Sequence, residues 1–232
     1  MPRLPRYGLP GQPQHVIQRG NSRAAIFARA ADYRHFRDYL ALACAEHACA
    51  VHAYVLMTNH IHLLITPATA GAIGRVMQSV GRRYVPYFNW SRGRTGGLYE
   101  GRFRATPIDT EEYMLRCYRY IERNPVRAGL VRDPAEYPWS SYRANALGEL
   151  DSLISPHELY ARLGKDASTR RAAYRSLHDE ELDEPALVAI RKAVRTGWAL
   201  GSDQFRDEIT RRSQRRAAPL PRGQRSSSLM SK

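Results

Sequence analysis

The chain has 232 residues, 43% of them hydrophobic and 25% charged, which suits one globular domain plus an appendage and a core that needs no disulfides. Its three cysteines, Cys44, Cys49 and Cys117, form no CxxC pair, so a disulfide scaffold and a cysteine zinc site are both excluded. Thirty-six Lys and Arg against 22 Asp and Glu give a formal net charge of +14, which points to polyanionic partners, nucleic acid first.

The first fourteen residues carry Pro2, Pro5, Pro10 and Pro13 and no apolar run, unlike a signal peptide. No apolar stretch reaches the roughly 20 residues of a transmembrane helix, so a soluble cytoplasmic protein without membrane contact is expected. His15–Gly20 reads as a short strand. Five arginines and no acid fall within residues 1–31, Arg3, Arg6, Arg19 and Arg23 among them. Asp32 is placed to cap a helix running to about His47, with Phe36, Leu40 and Ala43 on one face. Residues 50–57 and 60–66 alternate as two strands joined at Thr58–Asn59, a hairpin. Residues 70–90 repeat at helical spacing through Ile73, Met77, Val80 and Tyr84. Phe103–Asp109 reads as a further strand, and Glu111–Arg123 as a helix that Asn124–Pro125 ends or bends. Residues 75–104 hold seven arginines, including Arg82, Arg83, Arg102 and Arg104, against the single acid Glu100.

After Trp139 the pattern shortens. Helices are expected at Asp183–Arg195 and from Ser202 or Asp203 to about Arg216, compatible with a helix-turn-helix hairpin. The predicted organisation is a catalytic domain over 1–147, a helical accessory region over 148–216 and a disordered basic tail over 217–232, with residues 183–232 expected to add DNA affinity without touching the chemistry. Four strands interleaved with helices predict an α+β sandwich, an antiparallel sheet with helices on one face.

His60 and His62 lie two apart on a predicted strand, so both imidazoles share a face and converge on one point, as a metal site requires. Tyr120 and Asn124 lie four apart on a helix and also share a face. Two imidazoles and an amide oxygen leave positions open for phosphate oxygens, which suits Mg²⁺ or Mn²⁺ better than a closed zinc site. Spacing alone leaves rivals: Tyr113 and Tyr118 occupy the same helix, and Tyr118 has Glu122 four residues on. Phe88, Trp90, Tyr99 and Phe103 sit among arginines, either to stack on unpaired bases or to pack in the core.

Several stretches resemble the REP-associated tyrosine transposases. They are Leu9–Gly11 with His15–Asn21, Met57-Thr-Asn-His-Ile-His-Leu-Leu64, Glu100–Phe103, and Tyr120-Ile-Glu-Arg-Asn-Pro-Val-Arg-Ala-Gly-Leu130. The resemblance covers roughly residues 1–145. It implies a ferredoxin-like HUH sandwich in which His60 and His62 bind the divalent metal, Asn124 completes the site and Tyr120 is the nucleophile. The implied reaction is metal-dependent nicking and strand transfer on single-stranded, hairpin-bearing DNA through a 5′-phosphotyrosine. Arg3, Arg6, Arg19, Arg23, Arg82, Arg83, Arg102 and Arg104 are the expected DNA contacts, and no small-molecule cofactor is expected. The protein would lie in the bacterial cytoplasm, nucleoid-associated when bound, as a monomer or homodimer. Two other functions fit the residues: hydrolysis by a metal-activated water, and a basic nucleic-acid-binding regulator without catalysis.

Overall fold

A computed structural model describes residues 5–219, the side chain of Glu111 excepted. Four strands, β1 (Gln14–Arg19), β2 (Cys49–Met57), β3 (His60–Pro67) and β4 (Arg104–Pro107), interleave with α1 (Ala30–Glu46) and α2 (Ala72–Trp90). They form one antiparallel sheet in the order β2-β3-β1-β4, the ferredoxin-like arrangement of a βαββαβ unit. The expected α+β class and antiparallel sheet are present.

Helices cover both faces of this sheet rather than one. On one face Val16, Tyr54, Leu56, Ile61, Leu63 and Ile65 pack with α1 and α2. On the other, Ala53, Val55, Met57 and Leu64 pack with α3 (Thr110–Glu122) and α7 (Glu184–Thr196). The cause lies in β3 itself. Leu63-Leu64-Ile65 is a continuous apolar run, and all three side chains are fully buried, as in a strand covered on both sides. Each contributes about 1.5–3 kcal/mol, a gain that a one-sided sheet would forfeit at Leu64.

Local chemistry sets the element ends. Asp32 caps α1 from its third position, inside the helix rather than before it. Its carboxylate accepts from the backbone N–H of Ala28 and Arg29, 2.8 and 3.0 Å away, and pairs with Arg92 at 2.6 Å, fastening the start of α1 to the end of α2. The α3 helix stops at Glu122, and Asn124–Arg127 forms one further turn, α4, with Pro125 near its start. Proline is tolerated there because its missing N–H would find no helical partner.

The later helices are α5 (Glu158–Ala161), α6 (Ala167–Asp179), α7 and α8 (Asp203–Ser213). Asp183 caps α7 through the Ala186 N–H at 2.7 Å; Gly197, at φ 73°, ends it. The Thr106 hydroxyl of β4 donates to Ala193 O at 3.1 Å, and the Arg104 guanidinium to Arg195 O at 2.6 Å. Beyond α7, Leu200 pairs with the β4 edge: Leu200 N–H donates to Pro107 O at 2.9 Å, and Asp109 N–H to Leu200 O at 2.8 Å. The opposite edge is covered too. Leu56 N–H donates to Trp139 O, Ser141 N–H to Tyr54 O and Ser155 N–H to Val51 O, at 2.9, 3.0 and 2.8 Å.

In α8, Ile209 and Phe205 close a small core with Tyr7, Leu9, Ala199 and Ala217. The Arg215 guanidinium lies 3.9 Å from the centre of the Tyr7 ring, and Arg212 reaches Gln12 and Pro10 O. These two arginines fasten the N-terminal arm. Ala217, expected to open a disordered tail, is buried and accepts from Ala199 N–H at 3.0 Å. Residues 220–232 of the expected tail, and Arg3, lie outside the described residues. No helix among those described is long and apolar enough to cross a membrane.

Candidate active site

A cleft of about 440 Å³ opens on the α3–α7 side of the sheet. Ile17 and Arg19 of β1, His60 and His62 of β3, and Arg104 of β4 form its floor. Tyr120, Asn124, Arg191, Val194 and Arg195 form its walls, with Arg23 and Glu100 from the adjoining loops. Period-two alternation puts His60 and His62 on this face. Their rings lie 5.0 Å apart and nearly perpendicular. The His62 ring meets the edge of Tyr120 at 5.9 Å. His60, His62, Tyr120 and Asn124, singled out in the sequence, thus line one cleft.

Hydrogen bonds set which ring nitrogens are free. His60 Nδ1 lies 2.7 Å from Asn59 Oδ1. An amide oxygen can only accept, so Nδ1 carries the proton and Nε2 keeps its lone pair. His62 Nδ1 lies 2.8 Å from Nε2 of the buried His15, which leaves Nε2 of His62 for the cleft. The Asn124 amide donates to Tyr120 O at 3.1 Å, leaving its own Oδ1 unused by that bond. Burial, reinforced by Arg19, lowers the His60 pKa from 6.5 to about 4. Burial, then His15, His60 and nearby arginines, holds His62 well below 6.5. Both imidazoles are therefore neutral at pH 7, the form that can donate a lone pair. Among the described residues no three His, Cys, Asp or Glu side chains gather into a metal cage. The donor set that fits a divalent cation is two imidazoles and one amide oxygen, a partial shell of the kind Mg²⁺ completes with water and phosphate.

Packing separates the tyrosines of α3. Tyr120 is 8% exposed and lines the cleft. Tyr118 is fully buried against Tyr160 and Tyr174, and burial raises its pKa. Tyr113 sits beside Arg116, outside the cleft lining. Glu122 turns inward, where Ser141 Oγ, Asn145 Nδ2 and Tyr174 OH donate to it at 2.5, 2.8 and 2.6 Å.

Two residues packed behind the cleft lining, His15 against His62 and Arg127 against Tyr120, stand in the sequence motifs but carry no signal there of their role. The Arg127 guanidinium lies 4.4 Å from the centre of the Tyr120 ring and also donates to Tyr120 O. Burial lowers its pKa to about 10, with Tyr120 acting in the opposite direction, so its positive charge persists at pH 7. Arg191 and Arg195 escape sequence reasoning because nothing local reveals which sheet face α7 covers.

The expected DNA-contacting arginines divide. Arg19, Arg23 and Arg104 line the cleft, while Arg6 and Arg102 line a neighbouring cavity of about 380 Å³ that shares Glu100 and Arg104 with it. Arg82 and Arg83 are on α2, across the sheet, and Arg83 pairs with Glu46 at 2.7 Å. Of the four aromatics, Phe88 and Phe103 are buried, Tyr99 packs against the core, and Trp90 is 84% exposed.

Fold and cleft together define the class: an α+β protein with a histidine pair on a ferredoxin-like sheet and a tyrosine facing it from α3. Residues 12–124 match the family described as IS200-like transposase. A REP-associated tyrosine transposase, solved bound to a REP hairpin, has the same fold. The match has a TM-score of 0.51 at 18% identity and covers 68% of this chain and 93% of that one. Among curated protein sequences none matches this chain.

Proposed function

We propose that the protein cuts and rejoins single-stranded DNA beside a hairpin, using Tyr120 as nucleophile. The observation that carries this reading is that Tyr120, among the α3 tyrosines, shares a cleft with the His60–His62 pair. The Tyr120 oxygen attacks phosphorus, the bond from phosphorus to the 3′ oxygen breaks, and that oxygen leaves as a 3′-OH. The product is a 5′-phosphotyrosine, and the reverse step rejoins strands without ATP because the ester conserves the bond energy. A free tyrosine has a pKa of about 10. The Arg127 guanidinium stands 4.4 Å from the centre of the Tyr120 ring and places a positive charge beside the nucleophile. His60 and His62, through Nε2, with Asn124 Oδ1, would hold Mg²⁺ or Mn²⁺, which when bound polarises the scissile phosphate. Arg19, Arg23 and Arg104 grip the backbone at the cleft, and Arg6 and Arg102 extend that grip. The hairpin part of the proposal draws support from the relative of the same fold, which was solved with a REP hairpin. We place the protein in the bacterial cytoplasm.

The deciding experiment incubates the full chain with Mg²⁺ and hairpin-bearing single strands, then looks for a denaturation-resistant protein–DNA adduct. Wild type should form it; Tyr120→Phe should not, yet should bind DNA about as well. Cleavage that persists in Tyr120→Phe with no adduct would establish a hydrolytic nuclease instead. An adduct mapping to Tyr113 or Tyr118 would refute the assignment.

A further inference from the structure

We infer that His15 is the positioning residue of the metal site: it accepts a hydrogen bond from His62 Nδ1 and thereby fixes the His62 ring with Nε2 aimed at the cation. This rests on the proposal that His62 ligates a divalent ion.

His15 and His62 stand on neighbouring strands, and the β1–β3 register makes them diagonal partners, since His15 faces Leu64 and Ile17 faces His62. Their side chains point to the same side of the sheet. The rings are 4.9 Å apart, and Nε2 of His15 lies 2.8 Å from Nδ1 of His62. His15 is 1% exposed and is not part of the cleft lining. With its Nε2 engaged and its Nδ1 buried without a partner, it has no nitrogen to offer a cation in the cleft. Its one side-chain hydrogen bond is to the ligand ring.

One proton fits between the two nitrogens. With that proton on His15, His62 would carry its own on Nε2 and could not donate a lone pair there. With it on His62, Nε2 is free. The second arrangement makes His62 the counterpart of His60, whose Nδ1 proton goes to Asn59. Each ligand imidazole then has its own acceptor behind it, and such partners set ring orientation and basicity. Tyr120 closes the cluster, its ring 5.8 Å from His15 and 5.9 Å from His62, so a rotation of His62 would also disturb the nucleophile.

The test uses the full chain and Mn²⁺ alone, titrated by electron paramagnetic resonance without DNA. His15→Leu should weaken Mn²⁺ binding about 10–100-fold. His15→Gln, whose amide oxygen can accept near the position of Nε2, should recover most of that affinity. In the adduct assay, added Mn²⁺ should restore the His15→Leu rate, a shift in metal requirement that general loosening of the fold would not produce. Unchanged Mn²⁺ affinity in His15→Leu, alongside abolished binding in His60→Ala, would overturn this inference alone. Failure of the wild type to bind Mn²⁺ would remove the cation reading and this inference with it. Should His15→Leu not fold, nitrogen-15 spectra of the Mg²⁺-loaded wild type decide. A coupling across the His15–His62 bond with the proton on His62 is expected; the proton on His15 overturns the inference.

Discussion

Glu122 opens a sharp test because its spacing from Tyr118 also fits a metal ligand, whereas its surroundings make it a structural anchor. Its side chain is fully buried. Ser141, Asn145 and Tyr174 donate to its two oxygens, and His178 Nε2 stands 3.3 Å away. Hydrogen bonds to a charged group contribute about 1.5–3 kcal/mol each. Three such bonds would sum to more than about 4 kcal/mol, although the effects of neighbouring groups are not additive. Glu122→Ala also leaves the buried Tyr174 hydroxyl without a partner, while Ser141 keeps Tyr54 and Asn145 keeps His52 O. We expect a destabilisation of about 4 kcal/mol, a large part of the roughly 5–15 kcal/mol of a whole domain. Glu122→Gln keeps one oxygen for Ser141 and Asn145 and turns an amide nitrogen toward Tyr174, so it should cost about 1–2 kcal/mol. Urea unfolding followed by circular dichroism measures both, and Mn²⁺ affinity of the folded Gln variant should match wild type. A Glu122→Gln protein with native stability and no Mn²⁺ binding would refute the reasoning and place the carboxylate in the metal shell.

Three further outcomes are expected. His15, His52 and His60 have folded pKa values near 3, 4 and 4 against 6.5 for the free side chain, chiefly through burial. The unfolded chain therefore binds more protons below about pH 6.5, and each group removes on the order of 2 kcal/mol by about pH 5; a Tm that does not fall between about pH 7.5 and 5 would contradict this. Arg19→Ala and Arg23→Ala should each lower single-strand affinity and flatten the log–log salt dependence by about 0.7 for every phosphate no longer neutralised, whereas Arg83→Ala, already paired with Glu46, should change neither; an equal effect at Arg83 would dissolve the distinction. Truncation before Glu184 removes Ile190, Val194 and Leu200 from the core they share with α3, so cooperative unfolding should disappear; a truncated chain of native stability would show α7 to be dispensable to the fold.

The His60–His62 pair is legible in the sequence because strand alternation is local and needs only two residues. Choosing Tyr120 over Tyr118 is not, since helical spacing treats both alike. The choice is made by which side of α3 is buried, and Glu122 is drawn inward by Ser141 and Tyr174, 19 and 52 residues away in sequence. His15 is invisible as a partner of His62 for a similar reason: the two meet only through strand register, 47 residues apart. Residues after 148 read as accessory because their helices are short and separately capped. Yet Arg191, Val194 and Arg195 stand in the cleft wall. The Leu63-Leu64-Ile65 run does signal a sheet needing cover on both faces, and that signal is the one that leads to α7. Arginine clusters reveal the sign of the partner but not which arginines meet it, since Arg83, Arg92, Arg212 and Arg215 are committed to interactions within the chain.

The covering of both outer strands bears on assembly. A sheet with an open edge offers a row of unpaired N–H and C=O groups to any passing strand, including that of an identical molecule. Here the outer side of β2 is taken by backbone from residues 139–155, and the Tyr137 hydroxyl caps Leu56 O at 2.7 Å. On β4, Leu200 and the proline at 107, which has no N–H to give, occupy the other border. Two copies therefore have no place to merge their sheets into one, and such a fusion would first have to peel the chain's own later segments away. A contact between two copies would therefore have to use side-chain surfaces.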